Sequence, residues 1–150
     1  KPLINTRIES LIDGKVSLHT PCLIPATSWF EWMPDKARQP FLIKPTELKL
    51  FAFAGICHKR LLSSNIEQRT FSIVTTEAAK SIADIHHRMP LIIGKEAQGK
   101  WLQLLQGHSM KDFVDSASKL KFEFYPVSSL VNKPANDVEE VLKEFRETLF

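Results

Sequence analysis

Short apolar runs separated by polar turns dominate the first half of the chain, a pattern typical of β-strands. Proline or small polar residues bound most of these runs, and the later ones are rich in aromatic and β-branched side chains. Five strands are predicted: CLIPA (22–26), WFEWM (29–33), PFLIK (40–44), LKLFAFAGIC (48–57) and TFSIVTT (70–76). The polar segment PDKARQ reads as a turn between the second and third runs, so residues 28–44 are expected to form a hairpin.

Helical periodicity is more prominent in the second half of the chain. Four helices are predicted: EAAKSIADI (77–85) capped by Thr76, KEAQGKWLQLLQG (95–107), MKDFVDSA (110–117) and a tail helix from Asn136. The expected apolar stripes are Trp101, Leu102 and Leu105 in the second helix, and Val138, Val141, Leu142, Phe145 and Leu149 in the tail. MPLII (89–93) and KFEFYPV (121–127) predict two more strands. Because strands and helices do not alternate regularly, we expect an α+β fold with a mainly antiparallel, barrel-like β-sheet and peripheral helices.

The composition is that of an ordinary globular protein and does not point to a particular partner. With 150 residues, 43% hydrophobic and 25% charged, the chain is expected to form one domain with a substantial core. The net charge of +3 is too small to argue for nucleic acid on its own. No apolar run approaches the length of a membrane span, so no membrane partner is expected. The expected location is the cytoplasm, in association with the nucleoid if the protein is bacterial.

The two cysteines, Cys22 and Cys57, lie beside apolar strand-like runs and have no spacing that suggests a metal site. The favoured interpretation is two reduced, buried thiols of a cytosolic protein. His58 follows Cys57 directly, but consecutive residues of a strand point to opposite faces. A Cys57–His58 nucleophile–base pair is therefore not expected.

Four polar clusters are candidates for chemistry: NTR (5–7), FEW around Glu31, VTT (74–76) and DIHHRMP (84–90). Each also has a purely structural interpretation: Asn5 as a turn residue, Arg7 as a solvated charge, Glu31 facing solvent from a strand, His86 as a core histidine and Arg88 as a partner of Asp84. Glu31 is the least ordinary, because it stands among three aromatic residues and apolar surroundings disfavour a charged carboxylate. Taken singly, the structural interpretations are preferred.

Taken together, four segments resemble a known family. PLINTRIES, CLIPATSWFEW, FSIVTTEAAKSIADIHHRMPLII and FYPVSSLVN occur in the order and context of the SRAP family, the SOS response-associated peptidase proteins that process abasic sites in DNA. The resemblance covers nearly the whole chain and is weakest from Glu96 to Lys119. It implies an SRAP-type fold with a positively charged cleft for single-stranded DNA, and no metal or cofactor.

In the chemistry that the resemblance implies, the family links to the ring-opened aldehyde of an abasic site through an N-terminal cysteine, forming a thiazolidine. Asn5 matches the asparagine that positions the cysteine's amino group. Glu31 matches the glutamate proposed as acid and base, and His86 matches the histidine associated with ring opening and reversal of the crosslink. Carboxyl and imidazole groups suit proton transfer of this kind.

For DNA contacts, the resemblance points to four residues. Arg7 and Arg88 match arginines that hold DNA phosphates, and Trp32 matches an aromatic residue that packs against a base. Thr75 is a weaker match, with an expected hydrogen bond to the DNA backbone.

The chain departs from the family pattern at its beginning, where relatives carry a Cys-Gly-Arg-Phe segment and a sizeable region before the asparagine block. We therefore expect residues 1–150 to be the C-terminal portion of an SRAP domain, inactive in crosslinking as written. Three explanations stay open: a fragment of a longer protein, a natural truncated relative, or a substitute amine supplied by Lys1. The missing N-terminal segment would then be a partner, and its absence is expected to expose apolar surface.

Three classes of function are consistent with these observations. The leading hypothesis is a protein that captures abasic sites in single-stranded DNA. A non-covalent single-stranded DNA-binding module, or a catalytically dead truncated relative, is the alternative. A peptidase acting on its own N-terminus is the third, and proteolysis of other proteins is not favoured because no matched nucleophile is present for it.

Overall fold

In the computed structural model, β-strands carry most of the regular structure, and residues 3–16, 19–34, 38–61, 66–104 and 109–145 are described. The strands are β1 (Asn5–Arg7), β2 (Thr20–Ala26), β3 (Trp29–Trp32), β4 (Pro40–Pro45), β5 (Phe51–Leu61), β6 (Glu67–Glu77), β7 (Arg88–Pro90), β8 (Ile92–Ile93) and β9 (Phe122–Pro126). The helices are α1 (Ile8–Ile12), α2 (Gln98–Leu102) and α3 (Met110–Ser118), with 3₁₀ turns at Lys95–Ala97, Ser129–Asn132 and Glu139–Leu142.

The strands form two sheets. The larger has the order β1-β6-β5-β2, with β7 paired to β6 and β8 paired to β5, and the smaller has the order β3-β4-β9. β1 runs parallel to β6, whereas the other pairings named here are antiparallel. The hairpin predicted for residues 28–44 is the β3–β4 pair, in which Glu31 lies opposite Phe41.

A shared apolar core joins the two sheets. Trp29 of the smaller sheet makes edge-to-face contacts with Phe51 and Phe53 of the larger sheet and with Phe122 of its own, at centroid distances of 5.6 to 6.5 Å. Such aromatic contacts add to the stabilisation from apolar burial. The α+β class with mainly antiparallel strands is confirmed, and a core enclosed by both sheets fits the barrel-like arrangement that the sequence predicts.

The helix predicted over residues 77–85 is wrong, because β6 continues through its proposed cap. Thr76 is buried in the strand, and Glu77 pairs with Arg88 of β7. The segment that follows forms successive turns, in which Ile82 N bonds Ala79 O and Ile85 N bonds Ile82 O. The apolar residues of this segment recur at every third position, and this spacing matches the tighter turns. The turns therefore place these side chains in the core without an α-helix.

The helix predicted over 95–107 is shorter than expected and uses a different apolar face. Residues 95–97 form a 3₁₀ turn and α2 follows. Trp101 is fully buried and donates its indole N–H to the Cys22 carbonyl oxygen at 3.0 Å, whereas Leu102 is 49% exposed. Leu105 lies outside the described residues, and α3 confirms the third predicted helix.

The amphipathic tail helix is also wrong over the described residues. The tail forms one 3₁₀ turn, Glu139–Leu142, and its described end returns to β9, where Phe145 N bonds Pro126 O at 2.8 Å. Pairing with an exposed strand edge satisfies backbone groups that a helix would have satisfied internally. Val141 is buried, but Val138, Leu142 and Phe145 are largely exposed, and Leu149 lies outside the described residues.

Two smaller expectations differ in detail. The MPLII segment forms two short strands, β7 and β8, that pair with different partners. Cys22 and Cys57 are free thiols, as expected, but they are half-buried. Burial raises the pKa of the Cys22 thiol, which disfavours the reactive thiolate at neutral pH.

Among the described residues, no helix is long and apolar enough to cross a membrane.

Candidate functional site

A cleft of about 550 Å³ opens between the two sheets. Six residues singled out from the sequence line it together: Asn5, Arg7, Glu31, Thr75, His86 and Arg88. They come from four separate segments, so the tertiary structure alone brings them together. What the residues do there remains a prediction.

The parallel pairing of β1 with β6 places the first part of the site. In this register Asn5 lies beside Ile73 and Arg7 beside Thr75, and alternation along a strand directs these side chains to one face. β3 contributes Glu31 from the smaller sheet, and the segment entering β7 contributes His86. The site therefore lies where two sheets meet, not within a single loop.

Glu31 is held in a partly apolar environment, with its side chain 22% exposed. Burial raises the pKa of the Glu31 carboxyl group, and the nearby His86 and Trp29 side chains lower the pKa by smaller amounts. The Trp29 indole nitrogen is buried and has no well-formed hydrogen bond within the described residues. Its N–H group is therefore only a weak donor to the Glu31 carboxylate and lowers the Glu31 pKa only slightly. A carboxyl group in this setting retains its proton to higher pH than an exposed one does.

His86 lies within reach of Glu31, with 3.9 Å between its Nδ1 and the Glu31 Oε2 atom. The same Nδ1 is 2.9 Å from the backbone oxygen of Arg88 and 3.2 Å from the backbone nitrogen of Arg88. A protonated Nδ1 can donate to that oxygen, and an unprotonated Nδ1 can accept from that N–H group. The backbone thus offers a hydrogen-bond partner to either tautomer of the imidazole.

Arg88 is held by a partner that the sequence did not single out. Its two terminal nitrogens donate to the two carboxylate oxygens of Glu9 at 2.8 and 2.9 Å, and Nη2 also donates to the Thr75 carbonyl oxygen at 2.7 Å. The Glu9 pKa is lowered, chiefly by the hydrogen bond from Arg88. The structural interpretation of Arg88 as a partner of Asp84 is therefore wrong.

Asn5 and Arg7 stand at the exposed side of the cleft. Within the part of the chain that is described, neither side chain makes a hydrogen bond or an ion pair, so both are free to meet a ligand. Arg7 contributes a small lowering of the Glu9 pKa, which shows that its charge is felt at the position of Glu9.

Trp32 does not line the cleft. It follows Glu31 on β3 and therefore faces the other side of the strand, where it lies opposite Pro40. Its indole N–H donates to the Asn132 Oδ1 atom at 2.7 Å, and the side chain is 37% exposed. Base packing by Trp32 would have to take place beside the cleft.

Two residues that contact the candidates were not predicted from the sequence. Glu9 and Asn132 both lie in segments that carry the family resemblance, but no local pattern indicated their partners. Glu9 contacts Arg88 across 79 positions, and Asn132 contacts Trp32 across 100. Only conservation in an alignment could have signalled them.

The family model for SOS response associated peptidase (SRAP) matches residues 1–134 of the chain. The abasic site processing protein YoaM of Bacillus subtilis is 34% identical over 151 residues, with 93% of this chain and 65% of YoaM covered. The abasic site processing protein YedK of Escherichia coli is 29% identical, with 95% of this chain and 67% of YedK covered. The chain thus spans about two thirds of the length of these relatives.

A solved structure supports the same relationship. The crystal structure of a protein from Bacteroides thetaiotaomicron matches with a TM-score of 0.74 and 27% identity, covering 95% of this chain and 66% of that one. Sequence and fold therefore agree over nearly all of the chain. The chain belongs to the SOS response associated peptidase (SRAP) family.

Proposed function

We propose that the cleft recognises and processes abasic sites in single-stranded DNA. The family and the names of the relatives supply the class of substrate. The observation that carries the proposal is the pair of proton-transferring groups, Glu31 and His86, 3.9 Å apart in a cleft that also holds Asn5 and Arg7. This combination suits an abasic sugar and its phosphates. Glu31 and His86 could transfer the protons of ring opening, Asn5 could form hydrogen bonds, and Arg7 could bind a phosphate.

The ring-opening step assigns a role to each acid–base group. The sugar at an abasic site is a cyclic hemiacetal, and opening it moves a proton onto the ring oxygen while the C1′ hydroxyl group loses one. Glu31 can donate the first proton because its raised pKa keeps the carboxyl group protonated to higher pH. His86 is placed to accept the second. The products are an open-chain aldehyde and a free 4′ hydroxyl group.

Covalent capture requires an amine and a thiol on one residue. The aldehyde condenses with the amine to an imine and releases water; the thiol then adds to the imine carbon and its proton passes to the nitrogen, closing the thiazolidine. Cys22 and Cys57 do not qualify, since their nitrogens are amides within the chain. We assign this step to a form of the protein with an N-terminal cysteine, whose amino group Asn5 would orient.

Non-covalent binding of single-stranded DNA is the second candidate function. It is favoured by one observation, that Arg7 at the exposed side of the cleft makes no hydrogen bond or ion pair among the described residues. Arg7 would then meet phosphates at the exposed side of the cleft, and Trp32 would pack against a base beside it. Removal of an N-terminal residue by a peptidase reaction has no comparable support in the cleft.

Binding measurements test the proposal directly. Fluorescence anisotropy is expected to show tighter binding of a labelled single-stranded oligonucleotide with one abasic site than of the matching duplex. Affinity is expected to fall as salt rises, since each phosphate contact releases counterions. The variant Arg7→Ala should weaken binding, whereas Lys44→Ala, which removes a lysine paired with Glu123 away from the cleft, should not. Equal binding of single and double strands at low salt would contradict the proposal.

A further inference from the structure

The contact between Glu9 and Arg88 has the geometry of a phosphate contact. Both terminal nitrogens of the guanidinium group are directed at two oxygens of one acidic group, at 2.8 and 2.9 Å. Arginine binds carboxylates and phosphates in this same paired manner. The carboxylate therefore occupies the edge of Arg88 with which a DNA phosphate would pair.

The surroundings show which of the two partners is fixed. The Arg88 side chain is only 17% exposed, and Thr75 holds it through its carbonyl oxygen. The Glu9 side chain is 50% exposed and lies on the short helix α1. The Arg88 Nε atom is buried without a hydrogen-bond partner among the described residues, so that edge of the guanidinium group is closed to a ligand. The paired edge of the Arg88 guanidinium group therefore becomes open to a phosphate when Glu9 leaves it.

We propose that Glu9 takes the place of a DNA phosphate on Arg88 in the free protein and is displaced from it when DNA binds. This inference rests on the proposed binding of single-stranded DNA by the cleft. Thr75 keeps the guanidinium group in place while its acidic partner is exchanged. Glu9 thereby satisfies a partly buried charge in the absence of DNA and lowers the affinity of Arg88 for phosphate.

The variant Glu9→Gln tests the exchange, because the amide keeps the shape of the side chain and loses its charge. Glu67→Gln is the matched control: Glu67 is a similarly exposed carboxylate that also accepts from an arginine, Arg69, but does not line the cleft. Both substitutions raise the net charge by one. Only the first should alter the partner of Arg88.

With a labelled single-stranded oligonucleotide, Glu9→Gln is expected to lower the Kd about threefold at low salt. The plot of log affinity against log salt should keep its slope, because Arg88 pairs with the same phosphate in both proteins once DNA is bound. Glu67→Gln should leave the Kd nearly unchanged. If Glu9→Gln weakens binding or leaves the affinity unchanged, Glu9 orients Arg88 or is irrelevant to it, and the inference is overturned. A slope steeper by about 0.7 in Glu9→Gln would mean that Arg88 meets a phosphate only in the variant, which would also overturn the inference.

Inorganic phosphate separates this inference from the proposed function. The Arg88 Nε–H resonance, followed by NMR, should shift at lower phosphate concentration in Glu9→Gln than in the unmodified protein. Glu9→Asp, which keeps the charge but shortens the reach, should fall between the two. Equal shifts in all three proteins would overturn the inference. The three proteins could show the expected order of phosphate concentrations and yet fail to bind oligonucleotides. That result would refute the proposed function but would support the exchange of partners on Arg88.

Discussion

At the scale of single residues, two opposed effects set the acidity of Glu31. Burial of the Glu31 side chain raises the pKa of its carboxyl group. The imidazole of His86 reaches it from another segment and opposes that effect. When two neighbouring titratable groups lie in different environments, their pKa values move apart, and one can act as the acid while the other acts as the base.

Glu31→Gln is expected to stabilise the fold at neutral pH, because it removes the cost of burying a charged carboxylate. The folded-state pKa is raised above the ordinary value of 4.5, so the native protein favours the protonated form. That stabilising contribution is complete below pH 4.5 and is lost as pH rises through the folded-state pKa. We expect a gain on the order of 1 kcal/mol at pH 7, measured by urea denaturation.

The pH dependence distinguishes this cause from a general packing effect. The advantage of Glu31→Gln should shrink toward zero as pH falls to 4.5 and below, where both proteins carry a neutral group at this position. Glu123→Gln, at an exposed position paired with Lys44, is the control and should show no such gain at neutral pH. A gain that stays constant from pH 4 to 7 would argue against a buried charge as its source.

At the scale of elements, one buried tryptophan determines how α2 packs on the larger sheet. Trp101 donates its indole N–H to the backbone oxygen of Cys22 in β2 and makes an edge-to-face contact with Phe113 of α3. Gly55 on β5 lies opposite Cys22, where an added Cβ would stand 2.8 Å from the Cys22 sulfur and 2.3 Å from the Ile24 methyl group. Both α2 and β5 thus depend on close contacts with β2.

Trp101→Phe should lower the free energy of unfolding by about 1–3 kcal/mol, because it removes the indole donor from the partly buried Cys22 carbonyl oxygen. Urea denaturation followed by circular dichroism measures the change. Leu102→Ala, at the next position along α2, should change stability by less than about 0.5 kcal/mol, because Leu102 is exposed. A larger loss of stability in Leu102→Ala than in Trp101→Phe would contradict the packing of α2 described here.

At the scale of the whole molecule, the cleft exists because two sheets meet around one core. The larger sheet supplies Asn5, Arg7 and Thr75, and the smaller supplies Glu31. The proposed acid–base pair, Glu31 and His86, therefore spans the junction of the sheets. The proposed ring opening depends on that junction.

We expect the 150 residues to form no heat-stable crosslink with single-stranded DNA containing an abasic site, since no residue in them can close a thiazolidine. A form carrying an N-terminal cysteine before the present first residues should form one, visible as a shifted band on a denaturing gel. In that form Glu31→Gln should slow the reaction by on the order of a hundredfold, because an amide cannot transfer the proton.

A reductant separates this mechanism from an imine formed by Lys1 alone. Borohydride would trap such an imine, and blocking the α-amine would abolish the trapped product. A heat-stable crosslink formed by the unmodified 150 residues without reductant would contradict the assignment of the nucleophile, and Cys22 or Cys57 would then have to be reconsidered.

The amino-acid sequence by itself determined the strand-rich α+β class, the 28–44 hairpin, α3 and the family. These features depend on alternation, residue type and short motifs, which are local properties of the chain. The same local signals failed at residues 77–85, where pairing of Glu77 with Arg88 extends a strand through a residue suited to cap a helix. Tertiary pairing outweighs a weak helix preference there.

Only the tertiary structure decided which side chains meet. Arg88 forms its ion pair with Glu9 and not with Asp84, and the His86 ring lies near the Glu31 carboxylate. The Trp32 side chain faces away from the cleft and donates a hydrogen bond to Asn132. The physical reason is that an ion pair or hydrogen bond depends on distance in space, and partners separated by 79 or 100 positions leave no periodic trace in a single sequence. Residue types indicated which side chains could take part in proton transfer or phosphate binding, and the packing of two sheets determined which of them line one cleft.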